Sequence, residues 1–273
     1  MAAGRRLKGR AAAGAGYALA VLALLAALAG WLVPEPDRQA LEQSLVPPCL
    51  AHPAGTDLMG RDLLARTLHG LRLSLLIGLL ASALAVAIGL VVGMLAGYAG
   101  GWLDALLMRT VDVLYGLPYI ALVVVLMMVL GRGVANLLVA LAAVGWLTTA
   151  RIVRAEVRRL RAREFVEAAR VLGAGPLRVL ARHLAPNLLG IVLVYAALSV
   201  PAAIRQEALL SFLGLGVEPP QASLGSLLRE GLGALSVLGA EWWLLAAPAG
   251  VLIALVGALN ALADWASARR TGP

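Results

Sequence analysis

Apolar and polar positions fall along this chain in long blocks. Uncharged runs occupy residues 11–33, 73–98, 113–130, 134–150, 188–204 and 244–262, and charged or proline-rich segments separate them. A helix needs about 20 apolar residues to cross a hydrocarbon core about 30 Å thick. The pattern therefore predicts an all-α, polytopic membrane protein with six transmembrane helices.

One long polar stretch, residues 151–187, lies between two of these runs. Within it Phe165, Ala168, Ala169 and Leu172 recur at helical spacing, and Arg163, Glu164, Glu167 and Arg170 surround them with charge, which predicts a short amphipathic helix. Gly173 and Gly175 supply left-handed conformations to end it, and Pro176 suits the first position of the next helix. That second helix carries Leu177, Leu180 and Leu184 on one side, Arg178 and Arg182 on the other, and is expected to stop at Pro186.

Elsewhere the pattern sets connections. Residues 34–72 are polar and hold Pro47, Pro48 and Pro53, an external segment in which Thr56 or Asp57 can cap a short helix and Asp62 can pair with Arg66. Gly100, Gly101, Asp104, Arg109 and Asp112 read as a short turn, and Gly131-Arg132-Gly133 as a tight one. In the second run Ala81, Ala85, Gly89, Gly93 and Gly97 recur every fourth residue, a stripe that lets helices approach closely, within the subunit or against a second one. Arg205 and Glu207 stand just past the fifth run, at an outer surface or inside a longer helix.

Composition narrows the function. With 61% apolar and 14% charged residues the chain is too hydrophobic for a soluble domain. Its net charge of +8 comes from arginines beside the apolar runs, with no aromatic platforms among them, so it points to membrane topology rather than nucleic acid. With both termini cytoplasmic, sixteen basic residues fall inside and seven outside. Arg5, Arg6, Lys8 and Arg10 precede the first run, and Ala27-Leu28-Ala29 before Gly30 offers the competing reading of a cleaved signal peptide. Lys8 is the only lysine, so the chain has no phosphate-binding P-loop. Cys49, the only cysteine, excludes an internal disulfide; Cys49, His52 and Asp57 lack the rigid geometry of a metal site, and His69 and His183 have no ligand-spaced partner.

The register of Glu167-Ala168-Ala169, Gly173 and Pro186 resembles the EAA loop of ABC importer permeases, the membrane subunits energised by a separate ATPase. Residues 182–187, Arg-His-Leu-Ala-Pro-Asn, resemble the ending of that loop in the dipeptide and oligopeptide branch, with Ala185 in place of a usual leucine. Residues 52–62, from His52-Pro53 through Gly55-Thr56-Asp57 to Gly60-Arg61-Asp62, resemble the signature that precedes the transport core in the same branch. Glu207 ahead of Leu209-Leu210-Ser211-Phe212-Leu213-Gly214-Leu215-Gly216 resembles a third, although Leu224 stands where tryptophan is usual.

The resemblance implies a permease of the second-permease type, not an enzyme, with an N-terminal helix and linker over 1–72 and a transport core over 73–273. It implies a homologous partner permease, two ABC ATPase subunits holding ATP and Mg, and an extracytoplasmic binding protein, around an inner-membrane path for di- or oligopeptides. The chain itself would carry no cofactor. Phe165, Glu167, Ala168, Ala169, Arg170, Leu172, Gly173 and Pro176 would dock the ATPase, and movement of this helix would rock the spans. Arg205 and Glu207 would border an outer vestibule. A permease for nickel or another solute would share these motifs, and an ion-gradient carrier is the alternative of a different class. Against the latter, the central parts of the predicted spans hold no ionisable residues to relay ions.

Overall fold

The computed structural model of the chain describes residues 14–28, 33, 35–238 and 241–270. The basic residues 5–10, the processing position at 29 and 30, and the side chains of Arg269 and Arg270 lie outside the described residues. The helices are α1 (Gly14–Leu28), α2 (Leu63–Ala99), α3 (Gly101–Tyr115), α4 (Tyr119–Leu130), α5 (Val134–Arg161), α6 (Glu164–Val171), α7 (Pro176–Phe212), α8 (Leu224–Leu238) and α9 (Trp243–Arg270). Among the described residues four helices, α2, α5, α7 and α9, are long and apolar enough to cross a membrane, and a fifth span arises if the bent pair α3 and α4 counts as one. The chain is thus an all-helical, polytopic membrane protein.

Where the helices depart from the apolar blocks, a local cause is visible. The expected span over 113–130 is broken: α3 and α4 meet at a 92° bend across residues 116–118. Pro118 disfavours helical geometry at Leu117 and cannot donate to the helix ladder. The predicted turn at 100–112 is most of α3, whose Asp104, Met108 and Val111 are buried along one helical face. Asp104 enters that face because Arg154 of α5 grips both its oxygens. A paired charge no longer marks a loop.

α2 begins ten residues before the second apolar run, capped by Asp62, which accepts from the Ala65 amide at 2.8 Å. Position 72, the predicted edge of the core, therefore lies inside this helix. Its small-residue stripe packs against α5 of the same chain. A Cβ on Gly93 would sit 2.6 Å from the Ala150 carbonyl oxygen and 2.7 Å from Val153 Cβ, so the glycine lets two backbones touch. The stripe is an internal seam rather than a face for a second permease.

Pro186 does not stop its helix. Residues Val179–Leu184 widen into a π turn and the helix runs on to Phe212. A π turn shifts the hydrogen-bond register, which accommodates the missing proline N–H without a break. The tight turn at 131–133 matches expectation: Gly131 and Gly133 have positive φ, and the Asn136 side chain donates to the carbonyls of residues 130–132. α8 was not foreseen; its start is held by a reciprocal pair in which the Ser223 amide donates to Ser226 Oγ at 2.9 Å and the Ser226 amide to Ser223 Oγ at 3.3 Å.

The core is continuous along α2. One cluster joins α2, α3, α4, α5 and α7 through residues such as Ile77, Met127, Leu137 and Leu210. A second packs α6 and the start of α7 onto α5 through Val157, Val166, Val179 and Leu184. A third joins α1, α2, α7 and α9 through Ala26, Leu71, Ile204 and Leu255. Residues 41–62 form a cap over the N-terminal end of α2, and α6 lies at the opposite end, where the Arg161 guanidinium donates to the Tyr98 carbonyl.

Candidate functional site

Three features of the bundle bear on function, taken from the α6 end to the cap. α6 is eight residues long, too short to hold its shape without packing. Glu164 and Glu167 in its first turn and Arg170 in its last suit the helix dipole. Val166 and Ala169 face the core, while Phe165, Ala168 and Leu172 of the predicted apolar face point outward, Leu172 being 86% exposed. Glu167 and Arg170 are exposed too, with the Arg170 guanidinium 5.3 Å from the centre of the Tyr98 ring.

The end of α6 is a closed turn. The Ala174 amide donates to Ala169 O and the Gly173 amide to Arg170 O, each at 2.9 Å, with Gly173 at φ +83°. That Schellman arrangement requires a left-handed residue. Gly175 is extended instead, with φ −66°, and Pro176 follows it as the first residue of α7. The expected helix, sharp turn and helix are all present. Val171, Leu172 and Leu177 crowd the turn with exposed apolar surface.

Midway along the bundle a cavity of about 640 Å³ lies between α2, α5, α7 and the bend of α3 and α4. Its polar lining is neutral and includes Ser82, Tyr119, Thr148, Tyr195, Ser199 and Gln206. The Ser82 hydroxyl is buried and has no hydrogen-bond partner among the described residues. A smaller cavity of about 300 Å³ adjoins it toward the cap, bounded by Ile120, Arg205 and Leu209 among others. Among the described residues no three His, Cys, Asp or Glu side chains come together as a metal site.

Arg205 and Glu207 lie inside α7, not beyond it, and they face different ways. Arg205 is exposed, lines the smaller cavity and reaches Asn260 Oδ1 at 3.5 Å. Glu207 is fully buried. Ser74 Oγ donates to its Oε2 at 2.8 Å and Ser211 Oγ to its Oε1 at 2.7 Å, while the Leu224 amide donates to Ser74 Oγ. Its carboxylate therefore ties α2, α7 and α8 together. Spacing alone gave no sign of this, since Ser74 is 133 residues away.

The cap uses its own charges. Asp57 accepts from Arg61 Nε at 2.6 Å and from Arg66 Nη1 at 2.9 Å, and Arg66 also pairs with Glu230 of α8. Asp62 bonds His52 Nδ1 at 2.8 Å, not Arg66, and Trp243 Nε1 of α9 donates to the Thr56 carbonyl.

Comparison with known proteins fits this architecture. Residues 89–271 match the family described as "Binding-protein-dependent transport system inner membrane component". The chain is 41% identical to the dipeptide transport system permease protein DppC of Bacillus subtilis, over 95% of this chain and 81% of the relative. It is 46% identical to the oligopeptide transport system permease protein OppC of Salmonella typhimurium, over 78% of this chain and 70% of the relative. A chain of the methionine ABC transporter MetNI, solved in inward-facing conformations, has the same fold: TM-score 0.57 at 20% identity, covering 74% of this chain and 93% of that one. The family is one of transport permeases rather than enzymes. With its bundle of membrane-length helices and its match to the family over residues 89–271, the chain belongs to the inner membrane components of binding-protein-dependent transport systems.

Proposed function

We propose that the chain is the permease subunit of an ATP-driven importer of di- and oligopeptides, joined to a homologous permease, two ABC ATPase subunits and an extracytoplasmic binding protein. The observation that carries the coupling is α6: a short helix, anchored by two buried residues, that leaves Phe165 and Leu172 exposed beside Glu167 among the described residues. Exposed apolar surface rimmed by charge suits a protein partner. Phe165, Glu167, Ala168, Arg170, Leu172 and Gly173 form the docking surface, with Ala169 beneath it and Pro176 fixing the exit of the turn. ATP and Mg belong to the docked subunits. The peptide cargo is supported by the likeness to permeases named for dipeptide and oligopeptide transport.

In the proposed topology α1 and the bent pair each cross once, giving six spans with α6 and both termini in the cytoplasm and the cap outside. Residues 1–72 supply the first helix and external linker, and 73–273 the transport core. The neutral cavity lies on the path, and its lack of fixed charge suits cargo of varied side chains. Arg205 borders an outer vestibule. Glu207 is better suited to hold the helices that form the vestibule wall.

Reconstitution of all subunits in proteoliposomes tests this. Uptake of labelled tripeptide should require ATP and binding protein and be indifferent to an uncoupler. Gly173→Val should keep insertion and lose ATPase copurification, because a β-branched residue resists φ +83°. Uptake of nickel but not peptide, or uptake that collapses with the uncoupler at constant ATP, would overturn the peptide and ATP assignments respectively.

A further inference from the structure

The two cavities meet at a single hydrogen bond. Tyr119, the first residue of α4, and Gln206, near the capped end of α7, line both of them. The Tyr119 hydroxyl donates to Gln206 Oε1 at 2.6 Å. Ala202, one turn earlier on α7, is also shared. The larger cavity extends from this bond to Ser82 and Tyr195; the smaller opens past it toward Arg205. Both partners are half-buried. The bond bridges α4, which follows the Pro118 break, to the long continuous helix α7.

We infer that solute passes between Tyr119 and Gln206, that their hydrogen bond closes the way between the two cavities, and that the separated side chains bind the backbone amides of the passing peptide. Each partner is neutral and has unused hydrogen-bonding capacity: the phenol oxygen can accept while it donates, and the carboxamide has two N–H donors as well as its oxygen. A peptide unit offers one donor and one acceptor. Opening therefore exchanges one pairing for others of similar kind, at little net cost. Because every residue of a peptide presents the same amide, such a site accepts cargo without reading its side chains. The inference rests on the peptide-importer reading above for its ligand, and on the adjoining cavities for its route.

The test uses the complete importer in proteoliposomes, with Cys49→Ser removing the only native cysteine. Tyr119→Cys and Gln206→Cys are combined and bridged with a short, cleavable, bifunctional thiol reagent. Bridging should abolish uptake of a labelled tri-alanine peptide with the subunits still assembled, and cleavage of the bridge should restore it. Uptake that persists under complete bridging overturns the route. If the double-cysteine variant does not assemble, Tyr119→Phe and Gln206→Leu carry the test. Each should lower the peptide moved per ATP several-fold, and an unchanged ratio in both overturns the role of the pair. An unbridged, unmutated assembly that moves another solute but no peptide overturns the cargo reading instead, and bridging then tests the route with that solute.

Discussion

The two ends of the bundle are both rich in charge, and they spend it differently. At the cap, Asp57, Arg61, Arg66 and Glu230 are engaged with one another, His52 with Asp62, and the Trp243 indole with the Thr56 carbonyl. Groups that would be costly to bury alone are paired inside the chain. At the α6 end, Val166 and Ala169 anchor a helix whose other residues, charged and apolar, face outward. Two segments with equally distinctive sequences thus differ: one is a strut whose chemistry is consumed by the fold, the other a surface whose chemistry the described residues leave exposed, as the proposed docking requires. Substitutions should separate them, with stability falling at the cap and assembly failing at α6.

The largest loss of stability is expected from Arg66→Ala. Arg66 is 2% exposed and joins Asp57 to Glu230, so its removal unlinks α2 from α8 and leaves the buried Asp57 carboxylate with Arg61 as its remaining cationic partner. Breaking a buried pair costs about 3 to 5 kcal/mol. Here the low end, about 3 kcal/mol, applies because the Glu230 side chain is 44% exposed and can turn to water. Thermal unfolding of the detergent-purified chain measures it, and a shift no larger than that of an exposed Arg132→Ala control would remove the strut from the comparison.

Gly93→Leu comes next, at about 1 to 3 kcal/mol for overpacking. The side chain would have to displace the Ala150 carbonyl and Val153 on α5. Because the seam is internal, thermal stability should fall even in the absence of any partner permease. A variant that is stable alone and fails only in assembly would return the stripe to an intersubunit role.

Glu207 sharpens the contrast between strut and surface, for it sits beside an open cavity and yet belongs to the packing. Glu207→Leu leaves the buried hydroxyls of Ser74 and Ser211 without their acceptor, at about 1 to 3 kcal/mol per unsatisfied group. Glu207→Gln keeps an acceptor and adds donors, and should unfold near the wild-type temperature. Equal losses in both would mean that the charge, rather than the hydrogen bonding, holds α2 to α7.

Much of this was legible in the sequence, because a membrane forces long apolar runs and amphipathic helices keep the 3.6-residue period. The starts of α5 and α6, the Gly173 turn and the glycine seam all followed from local residue chemistry. What escaped depends on residues distant in the chain. Asp104 looked like a loop residue until Arg154, fifty positions on, neutralised it. Glu207 looked like the edge of a span until Ser74 and Ser211 satisfied it. Pro186 looked like a stop because proline rules assume an α ladder, and the π turn before it changes the ladder. For α6 the helical period was legible but its anchor was not: Val166, outside the apolar set of Phe165, Ala168, Ala169 and Leu172, is the residue that points inward. Several residues of a short helix can satisfy one apolar face, and only its packing partner chooses among them.

The outward face of α6 yields the smallest predicted effect on folding, and the one most specific to function. Leu172 is 86% exposed and belongs to none of the core clusters. Leu172→Ser therefore removes almost no buried area, and surface changes of this kind stay within about 0.5 kcal/mol. The unfolding temperature of the isolated chain should not move. In the assembled importer the same leucine would be the apolar anchor at the centre of the docking surface, where truncating a buried anchor costs about 2 kcal/mol or more. ATPase copurification should therefore fall by at least an order of magnitude. Val166→Ser inverts the pattern, because Val166 is fully buried against α5 and α7: it should lower the unfolding temperature first and weaken docking only as α6 loosens. Wild-type copurification in Leu172→Ser, or a loss of stability matching that of Val166→Ser, would mean that the exposed face of α6 is not the partner's seat.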